Sequence, residues 1–201
     1  MSGRFALFTR PEMKVERVSY DIITPSASRG IIEAIYWKPS IRYHIDFIHV
    51  INPIKFMLIK RNEVSKRLKV TSRDMEEGKP LYINTCECRQ QRSAIILKDV
   101  EYIIEAHFDI VGKEDNNPGK HLAIFERRAR KGQCFRTPYL GCREFTAHVE
   151  WCEKILPSKL SGKSDLGYML YDIDFDHDMT PHFFRCIMNN GIVDCRNGGV
   201  L

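Results

Sequence analysis

Residues 8–39, FTRPEMKVERVSYDIITPSASRGIIEAIYWKP, constrain the fold more than any other stretch, because they join a strand, a loop and a helix with marked ends. Thr24 can cap a helix, and Pro25 suits its first position. Pro39 disfavours helical backbone before it, so the pattern predicts a helix over 25–37 with Trp37 and Lys38 at its last turn. At about 3.6 residues per turn, Ala27, Ile31, Ala34 and Ile35 share one stripe. Tyr36 is expected nearly opposite that stripe, on the side of Arg29. A tyrosine in such a place is ordinarily a packing residue under a loop. A second helix start makes it more interesting.

In that second segment Asn117 can cap, Pro118 suits the first helical position, and Gly119-Lys120-His121 fill the first turn of a helix over 118–131. Leu122, Phe125 and Ala129 are expected to form its apolar stripe, with Lys120, Arg127 and Lys131 on the other side. Cations oppose the macrodipole at a helix start, where acids are usual. Free backbone N–H groups beside a lysine and a histidine therefore point to a bound anion, most naturally a phosphate. The ordinary alternative is a solvated basic turn.

The chain has 201 residues, enough to bury a core as one domain or one domain with an appendage. Its net charge of +5 favours anionic partners. No apolar run reaches membrane-spanning length and the start lacks a secretory pattern, so a cytoplasmic protein with no membrane partner is expected. The seven cysteines form no regular framework and no Cys-x-x-Cys pair, as expected of reduced thiols. Cys86-x-Cys88 is too close for a zinc knuckle and in a strand would put both thiols on one face.

Strands are expected at 4–9, within 41–60 on either side of Pro53, at 93–97, 100–110, 139–144 and 168–175. The charged residues 61–80 read as a mobile excursion, and Asn189-Asn190-Gly191 reads as a hairpin turn. Two successive strand–helix–strand units give an α+β, ferredoxin-like arrangement with both helices on one face of an antiparallel sheet. The helices are then neighbours, and Tyr36 can approach Lys120 and His121. The expected division is residues 1–150 for this domain and 151–201 for a small β-rich subdomain.

The runs KVERVSYDIITPSASRGIIEAIYWKP, CRQQRSAIILKDVEYIIEAHF, NPGKHLAIFERRARKGQCF, PYLGCREF and LGYMLYDIDF together resemble one family. It is the CRISPR-associated RAMP family of the type I-C (Dvulg) system, the fifth Cas family, and the similarity runs from about Phe5 to the Asn189-Asn190-Gly191 hairpin. The resemblance implies a ferredoxin-like, RRM-related RAMP domain with a β-rich subdomain. It implies an endoribonuclease that cuts CRISPR repeat hairpins in precursor crRNA without metal or other cofactor. The enzyme would then stay on the 5′ handle beside the backbone and large subunits of the interference complex, with duplex DNA as a further partner. The family's catalytic positions fall on the tyrosine of YWKP and the Lys-His of GKH, here Tyr36, Lys120 and His121. The CRNGGVL end and the charged segment 65–79 depart from the family pattern, so no RNA contacts are carried over there.

Metal-free cleavage uses the neighbouring 2′-OH as nucleophile and leaves a 2′,3′-cyclic phosphate and a 5′-OH. It needs proton transfer at two oxygens and a donor for the phosphorane. Free tyrosine is only about 0.1% ionised at neutral pH, whereas histidine titrates nearby. Proton transfer is therefore assigned to His121, phosphorane stabilisation to Lys120, and orientation of the 2′-OH or a share in proton transfer to Tyr36. Which of His121 and Tyr36 is base and which is acid stays open. Arg127, Arg128 and Lys131, with the weaker Arg89 and Arg92 and with Arg29 and Lys38 beside Tyr36, are candidate RNA contacts. Asp172, Asp174, Asp176 and Asp178 with His177 resemble a metal site, but their alternation with Ile173 and Phe175 fits a half-buried strand. The calcium-loop pattern fails at His177 and Phe183. Histidines 44, 49, 107, 148 and 182 read as structural. Two other functions remain open: a binding-only handle subunit, against which intact Tyr36, Lys120 and His121 argue, and a metal-dependent nuclease that uses the acidic run on DNA.

Overall fold

The computed structural model describes residues 1–13, 15–78, 80–112, 115–175 and 178–196. In chain order its elements are β1 (Ser2–Ala6), β2 (Arg17–Val18), α1 (Pro25–Ile35), β3 (Ile41–Val50), β4 (Phe56–Val64), α2 (Ser72–Glu76), α3 (Thr85–Cys88), β5 (Arg89–Ile110), α4 (Pro118–Arg130), β6 (Lys163–Asp174), β7 (Thr180–Asn189) and β8 (Ile192–Asp194). Among the described residues one mostly antiparallel sheet has the order β1-β5-β3-β8-β7-β6, with β2 and β4 also pairing β5. The chain is therefore an α+β protein with a large sheet and few helices. No helix among the described residues is long and apolar enough to cross a membrane.

Residues 93–97 and 100–110 are not two strands, as the sequence pattern implies, but one strand, β5. Asp99 adopts a positive φ of 53°, and β1 pairs on both sides of it, from Ala6↔Leu97 to Ser2↔Glu101. A partner that bridges the bend keeps the ladder intact. The half of β5 before the bend pairs with β4, and the half after it pairs with β3. Pro53 separates β3 from β4 as its missing N–H requires. β4 runs on into the charged stretch as far as Val64, and α2 within that stretch carries a capping box from Thr71 and Asp74.

Residues 139–144 are not a strand either. A single bridge joins Tyr139 to Thr146, and the loop between them closes through Leu140 N–H to Phe145 O (2.7 Å). Gly141 has a φ of 83°, and a β-carbon there would collide with the Leu7 carbonyl, so the loop lies flat on the chain just after β1. Leu7 N–H donates to Leu140 O, and Ser2 and His148 exchange backbone bonds, which lays residues 140–148 along the outer edge of β1. The expected hairpin does form between β7 and β8: Asn190 and Gly191 both have positive φ, 48° and 77°, as an Asn-Gly turn of this kind needs.

The core lies between the sheet and α1, with Tyr20, Ile22, Ile23, Ile48, Leu97, Tyr102, Leu140 and Met169 at most 2% exposed. α1 lies on β3 and β6 and touches α4. Thr24 Oγ1 accepts from Ala27 N–H, and Pro25 opens the helix. The helix stops at Ile35, earlier than its sequence pattern predicts. Tyr36 is the C-cap in extended conformation, φ −155° and ψ 128°. The helical wheel therefore no longer governs its direction. Rather than facing away from the stripe, Tyr36 turns inward, is 3% exposed and joins the core.

Candidate functional site

Two polar ties between α1 and α4 build the site. α1 ends with unpaired carbonyls, as every helix does. The Ala34 carbonyl accepts from Phe135 N–H at 2.7 Å, just beyond α4. The Ile35 carbonyl accepts from Arg128 Nη1 at 3.1 Å, and the same guanidinium lies 5.3 Å from the centre of the Tyr36 ring. Both ties come from residues on or beyond the last turn of α4. They set the end of α1 against its neighbour, and Tyr36 follows.

At the start of α4, Asn117 Oδ1 accepts from Lys120 N–H at 3.1 Å and Pro118 holds the first position. The stripe that faces inward contains His121 and Ala129, with Phe125 partly buried; Leu122 is 47% exposed. Phe125 and Ala129 keep their expected places, whereas His121 rather than Leu122 takes the first inward one. His121 has no exposed surface, and the edge of Phe108 packs on its ring at 6.2 Å between centroids.

The structure brings Tyr36 and His121 together, with the Tyr36 hydroxyl 2.9 Å from His121 Nδ1. His121 Nε2 lies 2.7 Å from the backbone carbonyl of Asp115. A carbonyl can only accept, so Nε2 carries a proton and donates. In the neutral ring Nδ1 is then the acceptor, and Tyr36 O–H donates to it. Burial, the largest cause, and Asp115 push the Tyr36 hydroxyl above the ordinary tyrosine range, against the pull of Lys120 and Arg128. Tyr36 is therefore a neutral donor at physiological pH.

Lys120 Nζ lies 2.6 Å from Asp115 Oδ1. This bond raises the ammonium's pKa and lowers that of the Asp115 carboxyl, so both remain charged. Asp115 is the residue that the sequence reading missed. The available signal was an acid five positions before Lys120 in an Asp/Asn-rich loop, and such loops are usually only turns.

The other candidates are dispersed. Lys38, Arg89, Arg127 and Lys131 are exposed. Arg92 is engaged by Val15 O and Gln90 and lies near Glu63. Arg29 forms a bidentate pair with Asp172 and also approaches Glu33. That pair uses the first acid of the run 172–178. Among the described residues no cluster of three or more His, Cys, Asp or Glu is arranged to hold a metal; Asp176 and His177 lie outside the described residues. Cys86 and Cys88 belong to α3, not to a strand, one exposed and one buried. Of the histidines left as structural, His49 pairs with Glu105, His107 with Asp46 and His148 with Glu150. A groove of about 770 Å³ between α1, β3 and β6 is lined by Arg29, Trp37, Tyr43, Asp172 and Phe175, but not by Tyr36, Lys120 or His121.

The Cas5d family model, described as CRISPR-associated protein (Cas_Cas5), matches residues 1–196. A CRISPR pre-crRNA endoribonuclease Cas5d from Mannheimia succiniciproducens is 50% identical over 204 residues, covering 96% of this chain and 91% of the relative. A protein of the same name from Thermus thermophilus is 42% identical over 177 residues, covering 88% and 72%. Among solved structures, a CRISPR-associated protein matches with a TM-score of 0.70 at 28% identity, over 96% of this chain and 87% of that one. A functionally uncharacterized protein, SMU1763c from Streptococcus mutans, matches at 0.70 and 27%, over 99% and 92%.

Proposed function

This chain belongs to the Cas5d family of CRISPR-associated proteins and is a pre-crRNA endoribonuclease; we propose that it cuts repeat hairpins without metal, through Tyr36, His121 and Lys120. The observation that carries the reading is the Tyr36 hydroxyl 2.9 Å from His121 Nδ1, beside a lysine at a helix start. As the 2′-OH attacks the adjacent phosphorus, its proton passes to the Tyr36 oxygen while Tyr36 hands its own to Nδ1. A buried phenol relays a proton in this way without ever existing as free phenolate. The Asp115 carbonyl keeps the other ring nitrogen protonated, so the imidazole presents the correct face for this transfer. Lys120 meets the charge that grows on the phosphorane as the bond to the 5′ oxygen breaks. The departing 5′ oxygen takes a proton from a water molecule and the imidazolium gives up its extra one through Tyr36, so the products are a 2′,3′-cyclic phosphate and a 5′-OH and the starting state is restored.

Exposed Arg127, Lys131, Lys38 and Arg89 are our candidates for backbone contacts, with Arg29, Arg92 and Arg128 committed to intramolecular partners until RNA arrives. We read residues 140–148, β1, β5 and β3 as the ferredoxin-like core. The boundary near residue 150 sets off β6–β8 as the β-rich part. In the cytoplasm the protein would remain on the 5′ handle of the crRNA within a type I-C complex, next to backbone and large subunits, with duplex DNA within its reach.

Incubating repeat RNA with the protein in EDTA tests the reading. Cleavage to a cyclic phosphate end is expected. Cutting that needs added magnesium would move the chemistry to the acidic strand around Asp174, and tight binding without cutting would leave a handle-binding subunit.

A further inference from the structure

We propose that Asp115 is a positioning residue for RNA cleavage: its carboxylate stands where the scissile phosphate binds, and RNA must displace it from Lys120. The inference rests on the assignment of Lys120 to the phosphate. One residue reaches both groups of α4, through Oδ1 to Lys120 Nζ at 2.6 Å and through its carbonyl to His121 Nε2 at 2.7 Å. Its second carboxylate oxygen is 3.9 Å from the same Nε2. α4 has no acid in its own first turn, so Asp115 supplies from outside the negative charge that this helix start favours.

The backbone supports a dedicated placement. Asp115 has a φ of 56°, which few residues other than glycine adopt, and aspartate and asparagine tolerate it best. That turn aims the carbonyl at His121 and leaves the carboxylate to Lys120. Both side chains of the ion pair stay partly in water, Lys120 at 52% and Asp115 at 36% exposure, so the carboxylate can be rehydrated when a phosphate takes its place. The two halves of Asp115 have separate duties. The carbonyl fixes the histidine tautomer, and the carboxylate holds Lys120 charged while opposing every RNA anion that approaches it.

The separation makes the proposal testable. Asp115→Asn removes the charge but keeps a carbonyl and a side chain that tolerates positive φ. With RNA carrying a 2′-deoxy sugar at the scissile position, its Kd should fall about two- to fivefold, the range expected for freeing an exposed ion pair. The salt dependence of binding should steepen by about one ion, because Lys120 now contributes fully. Both changes should vanish when Lys120→Ala is added. Asp115→Gly, which suits the same backbone without a side chain, should behave alike and guards against misfolding of one variant. Unchanged or weaker binding in both Asp115 variants would overturn the proposal. So would an equal gain in the Lys120→Ala background, which would mean general charge repulsion. The unmodified RNA run in parallel with wild-type protein keeps the questions apart: failure to cut it speaks against the nuclease reading, whereas intact cutting with unchanged Asp115→Asn affinity speaks against Asp115 alone.

Discussion

At the residue scale, the hydroxyl of Tyr36 and its ring do separate things. The ring fills the core between α1 and its neighbours, while the hydroxyl bonds to His121. Tyr36→Phe should therefore melt close to wild type, with its hydroxyl bond lost, yet cut repeat RNA about 10²-fold or more slowly, the usual range for a lost proton-transfer group. Normal single-turnover cleavage by Tyr36→Phe would return Tyr36 to a packing role. His121→Ala should be as slow. It should also lower the melting temperature, because a fully buried ring leaves a cavity, so rates must be compared below its unfolding transition. Lys120 differs in kind. If it gains more from the charge that grows in the transition state than from the phosphate of bound RNA, Lys120→Ala lowers the cleavage rate at saturating RNA more than it weakens binding. A lysine that serves only as a backbone contact would do the reverse. RNA with a 2′-deoxy sugar at the cut should bind nearly normally and stay intact, and cutting of that RNA would remove the 2′-OH from the mechanism.

At the scale of elements, the site depends on how α1 is ended. Arg128 ties the Ile35 carbonyl and lies over Tyr36, so its removal frees both that carbonyl and the Tyr36 ring. Arg128→Ala should cost about 1.5–3 kcal/mol, the range for a hydrogen bond to a charged group, and should slow cleavage at saturating RNA. Arg127→Ala, one residue earlier and exposed, should leave stability and saturated rate alone and instead reduce RNA affinity and its salt slope by about one ion. Equal effects of the two would show that Arg128 acts merely as surface charge. The helix starts were legible in the sequence because caps are local: Thr24-Pro25 and Asn117-Pro118 carry their own stop and start chemistry. The Asn190-Gly191 turn was legible for the same reason. What decides the site was not local. Tyr36 turns inward because bonds from Arg128 and Phe135, about a hundred residues on, end the helix before the wheel reaches it. β5 is continuous because β1 spans Asp99, and residues 139–144 fold back because Gly141 presses on Leu7. The pairing of Tyr36 with His121 followed from the order of elements, but the hold of Asp115 on both α4 groups did not.

At the scale of the whole molecule, the sheet joins its first and last strands through β3, whose one edge pairs β5 and whose other pairs β8. The buried thiols Cys186 and Cys195 sit in that far half, each with no exposed surface. Burial is the largest cause that pushes both from an ordinary 9.0 up to about 12. The native state thus keeps protons on these sulfurs that the unfolded chain releases above about pH 9. A folded pKa above the unfolded one contributes stability that is fully present below the unfolded value and is lost as pH rises towards the folded value. Each thiol should therefore steepen the fall of unfolding free energy between about pH 9 and 12 by up to about 1.4 kcal/mol per pH unit. Denaturant unfolding across that window measures the slope. Cys186→Ala costs stability at every pH through the space it leaves, but it should flatten the alkaline slope, which a cavity alone does not change. Alkylation followed by mass spectrometry gives the independent check. Exposed Cys86 and Cys152 should label in the native protein at pH 8 while Cys186 and Cys195 stay protected until the sheet unfolds. Rapid native labelling of Cys195 would mean that β8 opens from β3 on its own. The stability of this half would then have to be assigned to β6 and β7 rather than to one sheet folding as a unit.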